Sequence, residues 1–234
     1  MTQAVDAPAL AVRNVSKDFP SGGGTLRVLH GIDLEIGPSA QVAIVGPSGS
    51  GKSTLLSIMG TLENPTTGDV VVGGASTATM TDGDKAALRS RAFGFVFQQF
   101  HLLEHIDATR NVELGLLYAG FTPKERRERA LSALDRVGLG RRADHRPGQL
   151  SGGEQQRVAI ARAIAHDPRV VFADEPTGAL DQATGASVMD LLRGLTATAL
   201  VVITHDAAIA DSLPRRVRMR DGRIEQDVDQ EARA

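Results

Sequence analysis

Apolar and polar residues alternate in the first part of the chain and give way to a continuous apolar run. Residues 10–15 and 27–36 alternate around a glycine-rich stretch at 21–24, which predicts two antiparallel strands joined by a turn. The run Gln41–Val45 is almost continuously apolar and leads directly into a glycine-rich loop. It predicts a fully buried strand, with a helix starting at Lys52.

The rest of the chain alternates between strand-like and helix-like patterns. Short apolar runs typical of strands recur at 69–72, 93–97, 169–173 and 199–204. Apolar residues recur every three or four positions over much of 109–165, and a further helix is predicted at 181–195. Strands that alternate with helices predict an α/β fold built on a parallel sheet.

Two polar segments are predicted to lie in solvent. The charged run 123–129 follows Thr122, a good N-cap, and opens with Pro123, so it predicts an exposed helix start with a solvated face rather than a binding patch. Residues 227–234 are predicted to form a frayed polar tail.

The composition favours a globular protein and argues against several functions. The 234 residues are 41% apolar and 23% charged, and fit one large domain. The net charge of −2 argues against nucleic-acid binding, and the absence of cysteine excludes thiol chemistry. No secretory signal and no apolar run of about 18 residues is evident, so we expect a soluble chain whose membrane role would come from a partner.

The strongest chemical signal is a GxxxxGK[ST] loop between the predicted strand and the predicted helix. It comprises Gly46, Pro47, Ser48, Gly49, Ser50, Gly51, Lys52, Ser53 and Thr54. In such a loop the backbone N–H groups turn inward around phosphate oxygens, and the helix N-terminus adds about half a positive charge. Lys52 would reach the β- and γ-phosphates, and Ser53 would offer a hydroxyl to Mg2+. An ordinary glycine-rich turn is the alternative, but the strand–loop–helix order favours the phosphate site.

Two consecutive carboxylates follow the apolar residues 170–173. Ligands bind at the carboxyl ends of strands in open α/β sheets. Asp174 therefore fits a Mg2+ ligand, and Glu175 fits the base that takes a proton from an attacking water. Alone, these acids and the following proline would indicate only the start of a loop; the phosphate loop makes the chemical interpretation the better one.

The segment that precedes the apolar residues 158–164 is a second candidate for anion binding. Ser151 can cap a helix, while Gly152 and Gly153 allow a phosphate to approach bare backbone N–H groups; Glu154 follows them. In isolation this segment would be interpreted as plain helix capping.

Taken in order, these motifs resemble the ATP-binding cassette (ABC) ATPases over nearly the whole chain. The matching segments are Walker A at 46–54, a Q-loop at Gln98, the signature LSGGE at 150–154, Walker B at 170–175, a D-loop at Asp181 and an H-loop at His205. The resemblance implies a P-loop NTPase fold with a RecA-like parallel-sheet core. It also implies one cassette, with the core and an antiparallel β subdomain at about 1–95 and 166–234, and an inserted helical subdomain at about 96–165.

The resemblance also implies ATP and Mg2+ as ligands and a head-to-tail homodimer, in which LSGGE of one subunit closes over ATP held by the other. Gln98 would sense Mg2+ and the attacking water, His205 would contact the γ-phosphate, Asp181 would cross the dimer interface, and Phe19 would stack on adenine. Their alternatives are a surface amide for Gln98, a helix-capping histidine, a plain N-cap and a core ring. Glu154 stands where glutamine is common, and Phe19 where tyrosine is common.

Within the family, residues 97–103, 110–114 and 173–178 resemble the branch that serves lipoprotein release, macrolide export and cell-division mechanotransmission. This implies a cytoplasmic ATPase held at the membrane by integral-membrane permease subunits, with a groove over 98–117 for a permease helix. Phe97, Phe100, Leu102 and Leu103 could be core, permease contact or a mixture. A soluble ABC ATPase acting on DNA or ribosomes, and mechanotransmission without translocation, are the alternatives.

Overall fold

A computed structural model of the chain describes residues 7–230. These residues form two compact units, the first comprising 7–85 and 196–230 and the second comprising 86–195. The strands are β1 Leu10–Ser21, β2 Gly24–Ile36, β3 Gln41–Val45, β4 Thr67–Val72, β5 Ala75–Ser76, β6 Phe93–Phe97, β7 Val170–Asp174, β8 Ala199–Ile203, β9 Arg215–Arg220 and β10 Arg223–Asp229. The helices are α1 Lys52–Met59, α2 Asp82–Ala92, α3 Ala108–Leu114, α4 Pro123–Arg136, α5 Gly152–Ile164, α6 Gln182–Arg193 and α7 Ala207–Asp211.

An antiparallel sheet in the order β2–β1–β4–β5 lies in the first unit. Its first hairpin pairs Leu10 with Ile36 and closes at Gly22 and Gly23, which confirms the predicted hairpin. Both strands are longer than the alternating pattern indicated. The register shifts three times between Val12 and Asp18, and each shift turns the following side chains to the other face, so the alternation disappears although the strand continues.

The first unit also contains a parallel arrangement in which β3 lies between β8 and β9. The parallel pairing and the buried strand Gln41–Val45 are therefore confirmed, and α1 begins at Lys52 as predicted. One expectation was wrong. Residues 227–229 are not a frayed tail, because they belong to β10, which pairs antiparallel with β9 and places Asp227 2.6 Å from the Arg215 guanidinium. Residues 231–234 of the expected tail lie outside the described residues.

In the second unit, β6 and β7 pair in parallel, and helices α3, α4 and α5 pack against one another. Thr122 caps α4 in a capping box with Glu125, and the charged run after it is largely exposed, as predicted. The predicted helical subdomain at 96–165 has bounds different from those of this unit and stays a prediction.

Helix α2 was not predicted from the sequence. It is polar along most of its length and buries only Ala92, so it lacks the apolar stripe that marks a helix in a sequence. Its start is stabilised by Thr81, whose hydroxyl is 2.7 Å from a carboxylate oxygen of Asp84. Among residues 7–230, no helix has the length and apolar character needed to span a bilayer.

Candidate functional site

The loop that joins β3 to α1 carries the predicted phosphate site. Pro47, Ser48 and Gly49 are exposed, whereas Ser50 and Gly51 are buried beneath them. Hydrogen bonding within the helix begins where Leu55 N donates to Gly51 O. The N–H groups of the first helical turn precede that bond and have no acceptor within the helix, which makes them suited to bind an anion.

Lys52 lies across its own loop. Its ammonium donates to Gly46 O at 2.8 Å and to Pro47 O at 2.9 Å. An ammonium has three N–H donors, so these two bonds fix the position of Nζ while a third donor remains for a ligand. The exposed hydroxyl of Ser53, the next residue, is a hard oxygen donor of the kind that Mg2+ binds.

The turn between β9 and β10 is hydrogen-bonded to the phosphate loop, a feature that local sequence patterns did not reveal. Gly222 N donates to Ser50 O at 3.2 Å, and Gly222 O accepts from His30 N at 3.0 Å. A Cβ at Gly46 would lie 2.2 Å from Met219 O. The start of the loop and its buried residue are thus both held by the β9–β10 hairpin.

His205 lies at the same sheet edge as the phosphate loop. Ile203, at the end of β8, pairs in parallel with Ile44 of β3, and Thr204 N donates to Ile44 O at 3.2 Å. His205 is exposed beyond that point. The alternative of a helix-capping histidine is wrong, because the cap of α7 is Asp206, whose carboxylate accepts from Ala208 N at 2.8 Å.

Phe19, the candidate adenine-stacking ring, is half-buried on β1. Lys17 Nζ lies 4.9 Å from its ring centroid and forms a 2.9 Å ion pair with Glu63. The ring is therefore accessible in part and carries a cation–π contact of the kind seen at exposed aromatic residues. Its role in nucleotide binding stays a prediction.

The second unit brings Gln98 and Glu175 to equivalent positions on neighbouring strands. Phe97 pairs with Asp174 at the carboxyl ends of β6 and β7, and each candidate residue follows directly. Glu175 has a left-handed φ of 46°, an uncommon conformation for a residue with a Cβ. A Cβ at Gly178 would lie 2.9 Å from Gln98 Nε2, so the Gln98 amide rests on the turn that follows Glu175.

The signature segment forms a complete helix cap. Ser151 Oγ accepts from Glu154 N at 3.3 Å, and Glu154 Oε2 accepts from Ser151 N at 2.8 Å. The Ser151 N–H holds the pKa of the Glu154 carboxyl below its ordinary value of 4.5, and Arg142 adds an ion pair at 3.0 Å. Gly153 is packed so that a Cβ would lie 2.3 Å from Thr184 Cγ2. Capping is thus observed, and the phosphate-binding role of Ser151, Gly152, Gly153 and Glu154 stays a prediction.

Asp181 caps α6. Its two carboxylate oxygens accept from Thr184 N at 3.0 Å and Thr184 Oγ1 at 2.6 Å. The Thr184 hydroxyl is the main reason that the pKa of Asp181 is lowered. The N-cap interpretation therefore holds, and a contact across a dimer interface stays a prediction.

A comparison with protein families decides the class. The family described as ABC transporter matches residues 29–178, which include the phosphate loop, the signature segment and both carboxylates. The chain belongs to the ABC transporter family. The predicted family, ABC ATPase fold and ATPase class are thereby confirmed.

Individual relatives and solved structures agree with this assignment. The cassette is 50% identical over 220 residues to the macrolide export ATP-binding/permease protein MacB 1/2 of Paracoccus denitrificans, a match that covers 93% of this chain and 33% of the relative. It is 48% identical over 217 residues to the uncharacterized ABC transporter ATP-binding protein YknY of Bacillus subtilis, covering 92% and 94%. The dimeric post-hydrolysis structure of the ATP-binding cassette MJ0796, bound to ADP and Pi, has a TM-score of 0.84 and 41% identity, and the match covers 94% of this chain and 98% of that chain.

The apolar residues in and beside the segment 98–117 differ in exposure. Phe97, Phe100 and Leu102 are half-buried, whereas Leu103 is 43% exposed and Tyr118, just beyond the segment, is 82% exposed. In the cassette, the first three thus contribute to packing, and the last two are available to a partner.

Proposed function

We propose that this cassette binds and hydrolyses ATP as the energising subunit of a membrane ABC system. The observation that supports the proposal is the pairing of Phe97 with Asp174: the candidate water-orienting amide, Gln98, and the candidate base, Glu175, each follow directly after a residue of this pair. In the other compact unit, Lys52, whose ammonium donates to Gly46 O and Pro47 O, is the residue proposed to bind the β- and γ-phosphates.

The proposed reaction is in-line hydrolysis of the γ-phosphate. The oxygen of a water attacks the γ-phosphorus, the bond to the β–γ bridging oxygen breaks, and the electron pair leaves with ADP. Glu175 accepts the proton that the water loses, and Gln98 orients that water. Lys52 and the N–H groups of the phosphate loop bind the β- and γ-phosphates, and His205 contacts the γ-phosphate.

Mg2+ fits the oxygen donors that the chain offers. The residues that would hold it are Ser53, which is exposed and would offer its hydroxyl, Asp174, a half-buried carboxylate at a strand end, and Gln98, which would offer its amide oxygen. These are hard ligands, few in number, as is usual where substrate phosphates complete the coordination of Mg2+. When bound, Mg2+ supplies neutralisation of charge on the phosphate oxygens.

A head-to-tail homodimer is the proposed working form. Its support is the dimeric state of the MJ0796 cassette, to which this chain is similar over 94% of its length. Residues 150–154 of one subunit, which include Ser151, Gly152, Gly153 and Glu154, would close over the ATP held by the other, and Asp181 would lie at the interface. Because Ser151 Oγ only accepts a hydrogen bond in its cap, its O–H remains available for a phosphate oxygen.

The proposed partner is an integral-membrane permease, and the proposed location is the cytoplasmic face of the membrane. The relative from Paracoccus is named as an ATP-binding/permease protein, and this chain spans 33% of that relative's length. Leu103 and Tyr118 offer exposed apolar surface for the contact. The experiment is expression of a tagged cassette in its native host; we expect an integral-membrane protein to co-purify with it from detergent-solubilised membranes, and to be lost in Leu103→Asp.

Phosphate release from ATP tests the enzymatic part of the proposal. The cassette should hydrolyse ATP only when Mg2+ is present. Glu175→Gln should retain ATP affinity, lose at least about 100-fold in kcat and accumulate as an ATP-bound dimer in size-exclusion chromatography. Lys52→Ala should instead lose affinity in titration calorimetry. A Glu175→Gln protein that turns over like wild type would refute the role of the base.

A further inference from the structure

Gln156 lies on α5, two residues beyond the signature segment, and its side chain is fully buried. Its amide nitrogen donates to Phe97 O at 3.2 Å and to Pro176 O at 2.6 Å. Phe97 is the residue before Gln98, and Pro176 is the residue after Glu175. One side chain thus bonds directly to the two backbone segments that carry the candidate water-orienting amide and the candidate base.

The geometry of the primary amide explains why one residue can do this. Its two N–H donors diverge from one nitrogen in a fixed plane, so two acceptors that both bond to it are held at a set separation. The two acceptors are backbone carbonyls at the end of the β6–β7 pairing: Phe97 is the last paired residue of β6, and Pro176 lies two positions after Asp174, the last residue of β7. Gln156 therefore continues the tie between the two strands past the point where their ladder ends.

The Gln98 side chain also lies against the turn that follows Glu175. Gly178 N donates to Glu175 O at 3.0 Å, which closes the turn, and the Gln98 amide rests on Gly178. A shift of the Pro176 carbonyl would consequently move both Glu175 and the surface on which Gln98 lies. Because proton transfer and water orientation depend on sub-ångström placement, such a shift would slow hydrolysis.

The second polar atom of Gln156 indicates that packing alone does not account for the residue. Gln156 Oε1 is buried without a hydrogen-bond partner among residues 7–230. A buried polar atom without a partner costs about 1–3 kcal/mol, and an apolar side chain of similar size would avoid that cost. Gln156 thus combines two donated hydrogen bonds with an unfavourable contribution of its Oε1 atom to the free energy of folding.

We infer that Gln156 is a positioning residue for ATP hydrolysis, which sets the spacing between the Gln98 and Glu175 segments without touching the nucleotide. The inference rests on the proposed function, since it assigns a purpose to Gln156 only if Gln98 and Glu175 act on the attacking water. A change at Gln156 should therefore slow the chemical step without weakening ATP binding, because the phosphate loop and Lys52 belong to the other compact unit.

The test compares Gln156→Met with Gln230→Met. Methionine keeps the approximate length and volume of glutamine and removes both donors. Gln230 is the matched control: its amide nitrogen also donates to two backbone carbonyls, Ala210 O and Leu213 O, both at 3.0 Å, but it contacts neither candidate segment. We expect kcat for ATP to fall about tenfold in Gln156→Met, with KM and the calorimetric Kd for ATP within about twofold of wild type. Gln230→Met should lower the unfolding midpoint and leave kcat unchanged.

Gln156→Asn gives a graded second measurement, and it applies even if the methionine variant does not fold. Asparagine retains the donors on a side chain one methylene shorter, so it can reach one carbonyl but not both. Its kcat should lie between those of wild type and Gln156→Met, again without a change in Kd. Equal kcat in Gln156→Asn and wild type, or a loss of kcat matched by an equal loss of ATP affinity, would overturn the inference.

The failure of this inference is distinguishable from the failure of the proposed function. If wild type does not hydrolyse ATP in the same assay, the proposed function fails and the inference with it. If wild type hydrolyses ATP and Gln156→Met loses no more kcat than Gln230→Met, the positioning role alone is refuted.

Discussion

The support that the β9–β10 turn gives to the phosphate loop can be broken with one methyl group. In Gly222→Ala the new Cβ would lie 2.1 Å from Val28 O and 2.8 Å from the His30 ring. The first of these neighbours is backbone and cannot move aside as a side chain can. The turn must therefore shift. We expect this shift to break the hydrogen bond from Gly222 N to Ser50 O, which is already 3.2 Å long.

The expected cost can be estimated from three contributions. The φ of +70° at Gly222 costs an alanine about 1 kcal/mol. Relief of the overlap with Val28 O costs about 1–3 kcal/mol, by analogy with overpacked cores. Loss of the hydrogen bond to Ser50 O costs about 1 kcal/mol. If about 1.4 kcal/mol of this total disturbs the loop, the Kd for ATP rises about tenfold.

The assay is titration calorimetry of ATP, with each substitution made in the Glu175→Gln protein so that ATP is not hydrolysed, together with urea unfolding of the same proteins. Gly74→Ala is the matched control, because Gly74 also has a left-handed φ, of +86°, yet a Cβ there meets nothing within 4 Å. We expect Gly74→Ala to lose about 1 kcal/mol of stability with an unchanged Kd. An equally unchanged Kd in a folded Gly222→Ala protein would show that the hairpin does not support the phosphate loop.

Two further predictions concern the capping box of α5. Ser151→Ala should lower the free energy of unfolding by about 1 kcal/mol in urea titrations, because the first-turn N–H of Glu154 loses its acceptor. Since the folded chain lowers the pKa of Glu154 below 4.5, the stability that this carboxylate contributes is present above that pH and is lost as the pH falls through the lower, folded value. The difference in unfolding free energy between wild type and Glu154→Gln should therefore shrink between pH 6 and pH 3, and a constant difference would contradict it.

The sequence predicted the bounds of an element best where a short buried run ends at a change of composition. Strands β3 and β6 begin and end at the predicted residues, because each is a short apolar run bounded by a change of composition. Helix α2 was missed for the opposite reason: its one buried residue, Ala92, leaves no periodic signal. Residues 227–229, the end of strand β10, were mistaken for a tail because these polar residues pair with β9 and form ion pairs such as Arg215 with Asp227, and polarity alone does not reveal pairing.

Helix caps show why a local interpretation and a functional one can both be correct for the same residue. Ser151 and Asp181 were each given two possible roles, and each is an N-cap. A cap uses lone pairs of the side-chain oxygen and, for serine, leaves the O–H donor unused. For Ser151 the cap is compatible with a binding role, because it fixes the hydroxyl at the helix N-terminus, where an anion would be attracted.

The positioning contacts were invisible to sequence patterns for a physical reason. Gln156 reaches carbonyls 59 and 20 positions away along the chain, and Gly222 bonds to the carbonyl of Ser50. In each case the acceptor is a backbone oxygen, which every residue possesses, so the partner position places no demand on residue type. A motif records only side chains that chemistry requires at fixed spacing. The loops that carry those side chains are held by hydrogen-bond donors whose partners are backbone carbonyls. A sequence pattern does not reveal those partners, and only the folded structure identifies them.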